Sequence, residues 1–393
     1  MHNFEYYAPT KVVFGRNTES ETGKLIKELN CQKVLVHYGG GSVVRSGLLD
    51  RVYGALDAEG IPYVSLGGVV PNPRLSKVRE GISLARQEGV DFILAVGGGS
   101  VIDSAKAIGY GMANEGDVWD FYARKRTASA CLPIGAVLTI AAAGSEMSNS
   151  SVITNEAGWI KRGYSSNYCR CRFAVLNPEL TCTLPDYQTQ SGCVDIMMHT
   201  LERYLNHGTN MEMTDGISEA LLRTVIKSAR TLRDDPENYE ARAEVMWASS
   251  LSHNGLTGCG TDGGDFASHQ LEHELGGMFD VIHGAGLAAI WGSWARYVYR
   301  ARPDRFASLA VKVLMIPEKS SAEETALAGI EAMEDFYRSI GMPTSLRELG
   351  IEPTKEQILE LAEKCSFGNT RTIGIVKKLG REDMAEIYRM AIG

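Results

Sequence analysis

One spacing recurs among the residues best suited to chemistry. Asp195 and His199 stand four apart in DIMMHTLERY, His269 and His273 stand four apart in SHQLEHEL, and His283 follows in VIHGAG. Residues four apart share one helix face, about one turn or ~6 Å along it. A single pair of this kind is often no more than a helix-surface hydrogen bond. Together, in an apolar helical setting, they offer imidazole and carboxylate ligands to a borderline divalent ion such as Fe2+ or Zn2+. Three neutral imidazoles and one carboxylate leave a net positive centre with room for a substrate oxygen, so a Lewis acid there would polarise an alcohol or a carbonyl.

The first half carries a different signal. Gly97-Gly98-Gly99-Ser100 lies between an apolar stretch, FILAV, and a helical pattern. Backbone N–H groups at such a turn bind anions, and glycines let a phosphate come close. The usual G-x-G-x-x-G fingerprint is absent. Gly39-Gly40-Gly41-Ser42 follows KVLVHY in the same way. An acidic side chain at this place accepts from the ribose hydroxyls of an adenine dinucleotide and repels a 2′-phosphate. This turn has no acid, and Arg45 lies just inside the next helix, so NADP(H) is expected to be preferred over NAD(H).

The elements that must position these residues divide into two sorts. Strands are expected at Lys33–Tyr38, Pro62–Leu66 and Phe92–Val96, with helices through Ala58, over Leu75–Glu88 and over Val101–Met112. Further strands are expected near Leu132–Thr139, Ser151–Ile153 and Phe173–Leu176. Such alternation implies right-handed βαβ units and a parallel sheet. Beyond Leu184-Pro185 helical periodicities dominate, over about Asp186–Tyr204, Asp215–Arg233, Tyr239–Asn254, Phe266–Gly276 and Gly286–Tyr299. The expected organisation is therefore an α/β nucleotide-binding domain over residues 1–184 and an all-α metal-binding domain over residues 185–393.

Bulk properties exclude several classes. With 393 residues, two domains are the natural reading. Forty Lys and Arg against 48 Asp and Glu, and no basic run, argue against a nucleic-acid partner. No stretch approaches the roughly 20 apolar residues of a membrane helix. The opening MHNFEYYAPTKVVFG has neither a basic nor an apolar leader region, so a cytoplasmic location is expected. The eight cysteines are scattered without a C-x-x-C and read as free thiols.

Taken together these residues resemble the iron-containing (group III) alcohol dehydrogenase family, in its butanol dehydrogenase-like, NADPH-linked aldehyde reductase branch. The matching motifs span nearly the whole chain: P-T-K-V-V-F-G (9–15), Tyr38 with G-G-G-S, P-N-P (71–73), A-V-G-G-G-S-V-I-D (95–103), G-S-E-M (144–147), T-L-P-x-x-Q (183–188), G-x-x-D-x-x-x-H-T-x-E-x-Y (192–204), S-H-x-x-x-H-E-L (268–275) and I-H-G (282–284). The resemblance implies a dehydroquinate synthase-like fold with its active site in a cleft between an α/β and a helical domain. It places one divalent metal, Fe2+ or Zn2+, on Asp195, His199, His269 and His283. It places the pyrophosphate turn on Gly97, Gly98, Gly99 and Ser100 with Asp103 behind it, and other cofactor contacts near Gly39, Gly40, Gly41, Ser42, Asn72, Thr139 and Lys161. One departure stands out: relatives commonly carry a hydroxyl where this chain has Ala143, in T-I-A-A-A-G-S-E.

The implied reaction is hydride transfer between NAD(P)H and short- to medium-chain aldehydes or alcohols such as butanal and butanol. A glycerol or other polyol dehydrogenase of the same superfamily is the alternative. His273, one turn beyond His269, is expected to pass the proton, because an imidazole titrates near neutrality. A homodimer is expected, paired through an edge strand at Lys11–Phe14.

Overall fold

A computed structural model describes all 393 residues. The chain divides into two compact units, Tyr7–Thr183 and Leu184–Gly393, and Met1–Tyr6 belongs with the second.

The first unit is built on strands β1 (Lys11–Phe14), β2 (Val34–Tyr38), β3 (Tyr63–Leu66), β4 (Phe92–Gly97), β5 (Ile134–Leu138), β6 (Ser150–Asn155), β7 (Ile160–Ser165) and β8 (Phe173–Leu176). Its helices are α1 (Thr22–Lys27), α2 (Ser42–Arg45), α3 (Leu48–Ala58), α4 (Leu75–Glu88), α5 (Gly99–Ala113) and α6 (Trp119–Tyr122). Six strands form one sheet in the order β1-β8-β5-β4-β2-β3, and every pairing in it is parallel. Central strands of such a sheet are covered on both faces and so read as unbroken apolar runs; all six residues of β4 are buried. Val34, Val36, Phe92, Leu94 and Val96 pack on one face with Leu48, Val52 and Leu56 of α3.

Two local features differ from the expectation. The helix through Ala58 is two, α2 and α3, because Gly47 adopts a left-handed φ of 68° between them. The strand expected near Ser151–Ile153 forms as β6, but outside the sheet, in an antiparallel hairpin with an additional strand, β7, in which Thr154 pairs with Lys161. The second arm, IKRGYS, has neither an apolar run nor a regular apolar–polar alternation, so it carries little strand signal.

The second unit is helical: α7 (Asp186–Tyr204), α8 (Glu212–Asp234), α9 (Tyr239–His253), α10 (Ala267–Phe279), α11 (His283–Val298), α12 (Pro303–Lys312), α13 (Ala322–Ser339), α14 (Lys355–Cys365) and α15 (Arg381–Met390). No helix is long and apolar enough to cross a membrane. From Thr189 to Glu202 every residue of α7 is buried, including Asp195, His199 and Glu202. A helix buried on all sides belongs at the centre of its unit, and charges on it must find partners there. α11 begins at His283 itself, three residues earlier than its periodicity suggests. Its second residue, Gly284, lies so close to α7 that a Cβ would collide with the Ser191 carbonyl. That close approach brings His283 beside Asp195.

Candidate active site

In the second unit, α7, α10 and α11 converge on one cluster. One ligand atom each from Asp195, His199 and His269 lies within 4.8 Å of the others. Nε2 of His269 is 3.7 Å and Nε2 of His283 is 3.8 Å from Oδ1 of Asp195. A tetrahedral ion with bonds near 2.1 Å would hold its ligand atoms roughly 3.4 Å apart, so the cluster has the right dimensions. It also has the right vacancies in its bonding. Oδ1 of Asp195 and Nε2 of His269 are buried and make no hydrogen bond. Nδ1 of His199 lies 3.0 Å from that oxygen, but it is also 3.0 Å from the Asp195 carbonyl, to which its hydrogen is directed. Unpartnered buried polar atoms are costly, and a shared cation would satisfy both.

The electrostatics agree. Burial opposes ionisation of Asp195, yet His199, His283 and His269 outweigh it and hold its carboxyl well below the ordinary carboxylate range. Burial pushes His199 down to about 4 against the pull of Asp195, so this imidazole is neutral and able to ligate at pH 7. Burial also works against a charge on His269, but Glu202 and Asp195 overcome it and raise its pKa to about 9. The carboxylates that hold a proton there are the ones that would balance a dication.

Two residues that spacing did not single out complete the arrangement. Glu202, on α7, accepts a short hydrogen bond from Nδ1 of His269 and a second from the His269 backbone N–H at 3.2 Å. Glu272, on α10, accepts a short hydrogen bond from Nδ1 of His283. Both carboxylates are fully buried. A carboxylate on Nδ1 fixes the tautomer and turns Nε2 toward a metal. The available signal was a pair of acids at positions otherwise reading as buried helix. His273 is brought to the same region on its other side: it groups with Glu272 and His283, its ring 5.8 Å from that of His283 and 6.5 Å from that of His269.

In the first unit, the order of strands reverses between β2 and β4, since β3 lies outside β2 and β5 outside β4. Ligands of open α/β sheets bind outside the strand ends at such a point. The two glycine turns are the ones that leave these strands. Gly97 ends β4, Gly98 caps α5, and Gly99 and Ser100 open it. Gly39 and Gly40 follow β2, and Gly41 and Ser42 start α2. Arg45 folds back so that its Nη1 lies 2.5 Å from where a Cβ on Gly41 would be. Thr139 donates its N–H to the Gly97 carbonyl at 3.1 Å. Asn72 is buried with a left-handed φ of 53°. The next residue's carbonyl, Pro73, accepts from Thr154 at 2.8 Å, and Thr154 pairs with buried Lys161 across the hairpin. Thus the hairpin carries Lys161 toward Asn72. The Asp103 carboxylate accepts from the Ser145 hydroxyl at 2.6 Å and from the Val152 N–H at 2.9 Å.

Comparisons with known proteins bear on both units. The iron-containing alcohol dehydrogenase model matches residues 9–178, and the model for the C-terminal part of the Fe-containing alcohol dehydrogenase family matches residues 189–392. The chain is 39% identical to NADH-dependent butanol dehydrogenase A of Clostridium acetobutylicum over 99% of each chain. It is 36% identical to the NADPH-dependent aldehyde reductase YqhD of Escherichia coli over 90% of each. Among solved structures, that of NADH-dependent butanol dehydrogenase A from Thermotoga maritima superposes with a TM-score of 0.96 at 40% identity, covering 100% of this chain and 99% of the other. Matches of this length cover both the sheet with its glycine turns and the helices with their histidines, and the chain belongs to the iron-containing alcohol dehydrogenase family.

Proposed function

We propose that this oxidoreductase reduces short- to medium-chain aldehydes such as butanal, and oxidises the corresponding alcohols, with NADP(H) preferred over NAD(H). The observation that carries the cofactor choice is the turn after β2. It has no carboxylate to repel a 2′-phosphate, and the Arg45 guanidinium lies back over Gly41. A charge-assisted contact of this kind is worth about 1.5–3 kcal/mol, or roughly 10- to 100-fold in affinity. The names of relatives divide on the point, since the clostridial enzyme is NADH-dependent and the E. coli enzyme NADPH-dependent. The reading therefore rests on this chain's own residues.

A divalent iron or zinc ion would be held by Asp195, His199, His269 and His283, and would supply Lewis-acid polarisation of the substrate oxygen. Glu202 and Glu272 keep Nε2 of His269 and of His283 turned toward it. Reduction of a carbonyl leaves an alkoxide oxygen that must take up a proton. His273, whose ring lies 5.8 Å from that of His283, gives that proton from its imidazole and recovers it from water. The chain is further read as a homodimer paired through β1, which lies at the edge of the six-stranded sheet beside β8.

Steady-state kinetics with butanal and each reduced cofactor test the proposal. NADPH is expected to give the higher kcat/KM, and Gly39→Asp to move the ratio toward NADH. A clear preference of the unaltered enzyme for NADH would overturn the cofactor assignment.

A further inference from the structure

Lys106 is fully buried in the middle of α5, and its ammonium is enclosed by oxygen. It donates to the Ser145 carbonyl at 2.6 Å, the Ser150 carbonyl at 2.8 Å and the Ser148 carbonyl at 3.0 Å. The Ser145 and Ser148 hydroxyl oxygens lie at 3.1 and 3.2 Å. Five acceptors share three N–H bonds, a coordination shell like that of a free ammonium or potassium ion. A buried ammonium is tolerated only when it is satisfied in this way.

Four of the five acceptors belong to Ser145 and Ser148, in a connection between β5 and β6 that has no helix of its own, and the fifth is the carbonyl of Ser150, the first residue of β6. The carbonyls of such a segment need donors from elsewhere, and Lys106 supplies them. Asp103, one turn earlier on α5, holds the same connection through the Ser145 hydroxyl and the Val152 N–H. Ser145 therefore gives its hydrogen to Asp103 and accepts from Lys106. The other end of the connection lies on the glycine turn: a Cβ on Gly98 would be 3.0 Å from Ile140, and a Cβ on Gly99 3.0 Å from Ala143.

We propose that Lys106 is a positioning residue for the dinucleotide: its ammonium acts as a built-in monovalent cation that clamps residues 139–150 against the Gly97–Ser100 turn. It touches no reacting atom. It works by keeping Thr139 and its neighbours in register with the amides of the turn. The inference rests on the reading that this turn receives the dinucleotide, and NADPH binding by the unaltered enzyme tests that reading separately.

The experiment measures NADPH affinity by nicotinamide fluorescence on metal-loaded Lys106→Met and Lys106→Ala, with hydrogen exchange followed over residues 139–150. Both variants should keep their metal, since its ligands lie in the other unit. NADPH affinity should fall by about 10- to 100-fold, and exchange over 139–150 should accelerate. Ammonium or methylammonium chloride should restore affinity to Lys106→Ala, whereas tetramethylammonium, which has no N–H, should not. A role in global stability alone would accelerate exchange throughout the α/β unit rather than over 139–150. Unchanged NADPH affinity, or a loss that neither protonated amine reverses, overturns the proposal. Should both variants fail to fold, Ser145→Ala serves instead, because it removes the hydroxyl shared by Asp103 and Lys106. Weaker NADPH binding with faster exchange over 139–150 then supports the clamp, and unaltered binding overturns it.

Discussion

Replacing Glu202 by Gln tests whether the carboxylates behind the histidines are part of the metal site. The amide has nearly the same volume, so the fully buried position suffers neither a cavity nor a clash. What changes is charge. The hydrogen bond from Nδ1 of His269 ceases to be charge-assisted, while the His269 backbone N–H, 3.2 Å from Oε1, keeps an acceptor. A charge-assisted hydrogen bond contributes about 1.5–3 kcal/mol. Removing an outer partner of a ligating imidazole costs about 10- to 100-fold in metal affinity, and the two figures describe the same free energy. Glu272→Gln should act in the same direction but less strongly, because the His283 side chain is 26% exposed against 6% for His269, and water screens the lost charge. Competition with a chromophoric chelator measures both affinities, and the spectrum of the cobalt-substituted protein reports whether the ligand geometry changes. Unaltered metal affinity in Glu202→Gln, or a larger loss in Glu272→Gln, would refute the reasoning.

Other outcomes follow from the same geometry. His273→Ala should keep metal and NADPH while kcat falls by about 10²-fold; a change confined to KM would make His273 a pocket residue instead. His37, sealed between the Leu66 carbonyl and the Ser104 hydroxyl, is pushed down to about 4 by burial, the Leu66 hydrogen bond opposing. The unfolded chain binds that proton below about 6.5, so stability is complete above this pH and is lost as pH falls toward 4, by up to about 3 kcal/mol. Urea unfolding at pH 7 and pH 5 should show this loss in the unaltered protein and a smaller one in His37→Gln; equal losses would remove His37 as the cause. Light scattering at micromolar concentration should give twice the 42.8 kDa chain mass, and the monomer mass would count against pairing through β1.

The parts of this site that could be read from sequence are those set by local geometry. Asp195 with His199, and His269 with His273, are fixed by the pitch of a single helix, and both glycine turns announce themselves between an apolar run and a helical period. Glu202 and Glu272 could not be assigned in this way. Glu202 shares a helix with His199 but binds His269 on α10, and Glu272 shares a helix with His269 but binds His283 on α11. Each carboxylate serves the histidine of another element, a pairing that no spacing encodes. The fold of Arg45 over Gly41 depends on a rotamer, and β7 forms because β6 offers it a partner rather than because IKRGYS favours a strand. The parallel sheet was legible because full burial on both faces leaves an unmistakable apolar run.

The placement of Met1–Tyr6 has a consequence for how the polypeptide is assembled. The N–H of His2 donates to the Gly260 carbonyl at 3.0 Å, so the opening residues are completed by a partner that is synthesised long after them. During synthesis they have no partner from their own unit until the chain beyond Leu184 has been made. In the language of chain topology, the α/β unit is an insertion near the start of the helical one. A single cut at residue 184 would thus not release two intact halves: the piece carrying the histidines would leave six of its residues behind on the other.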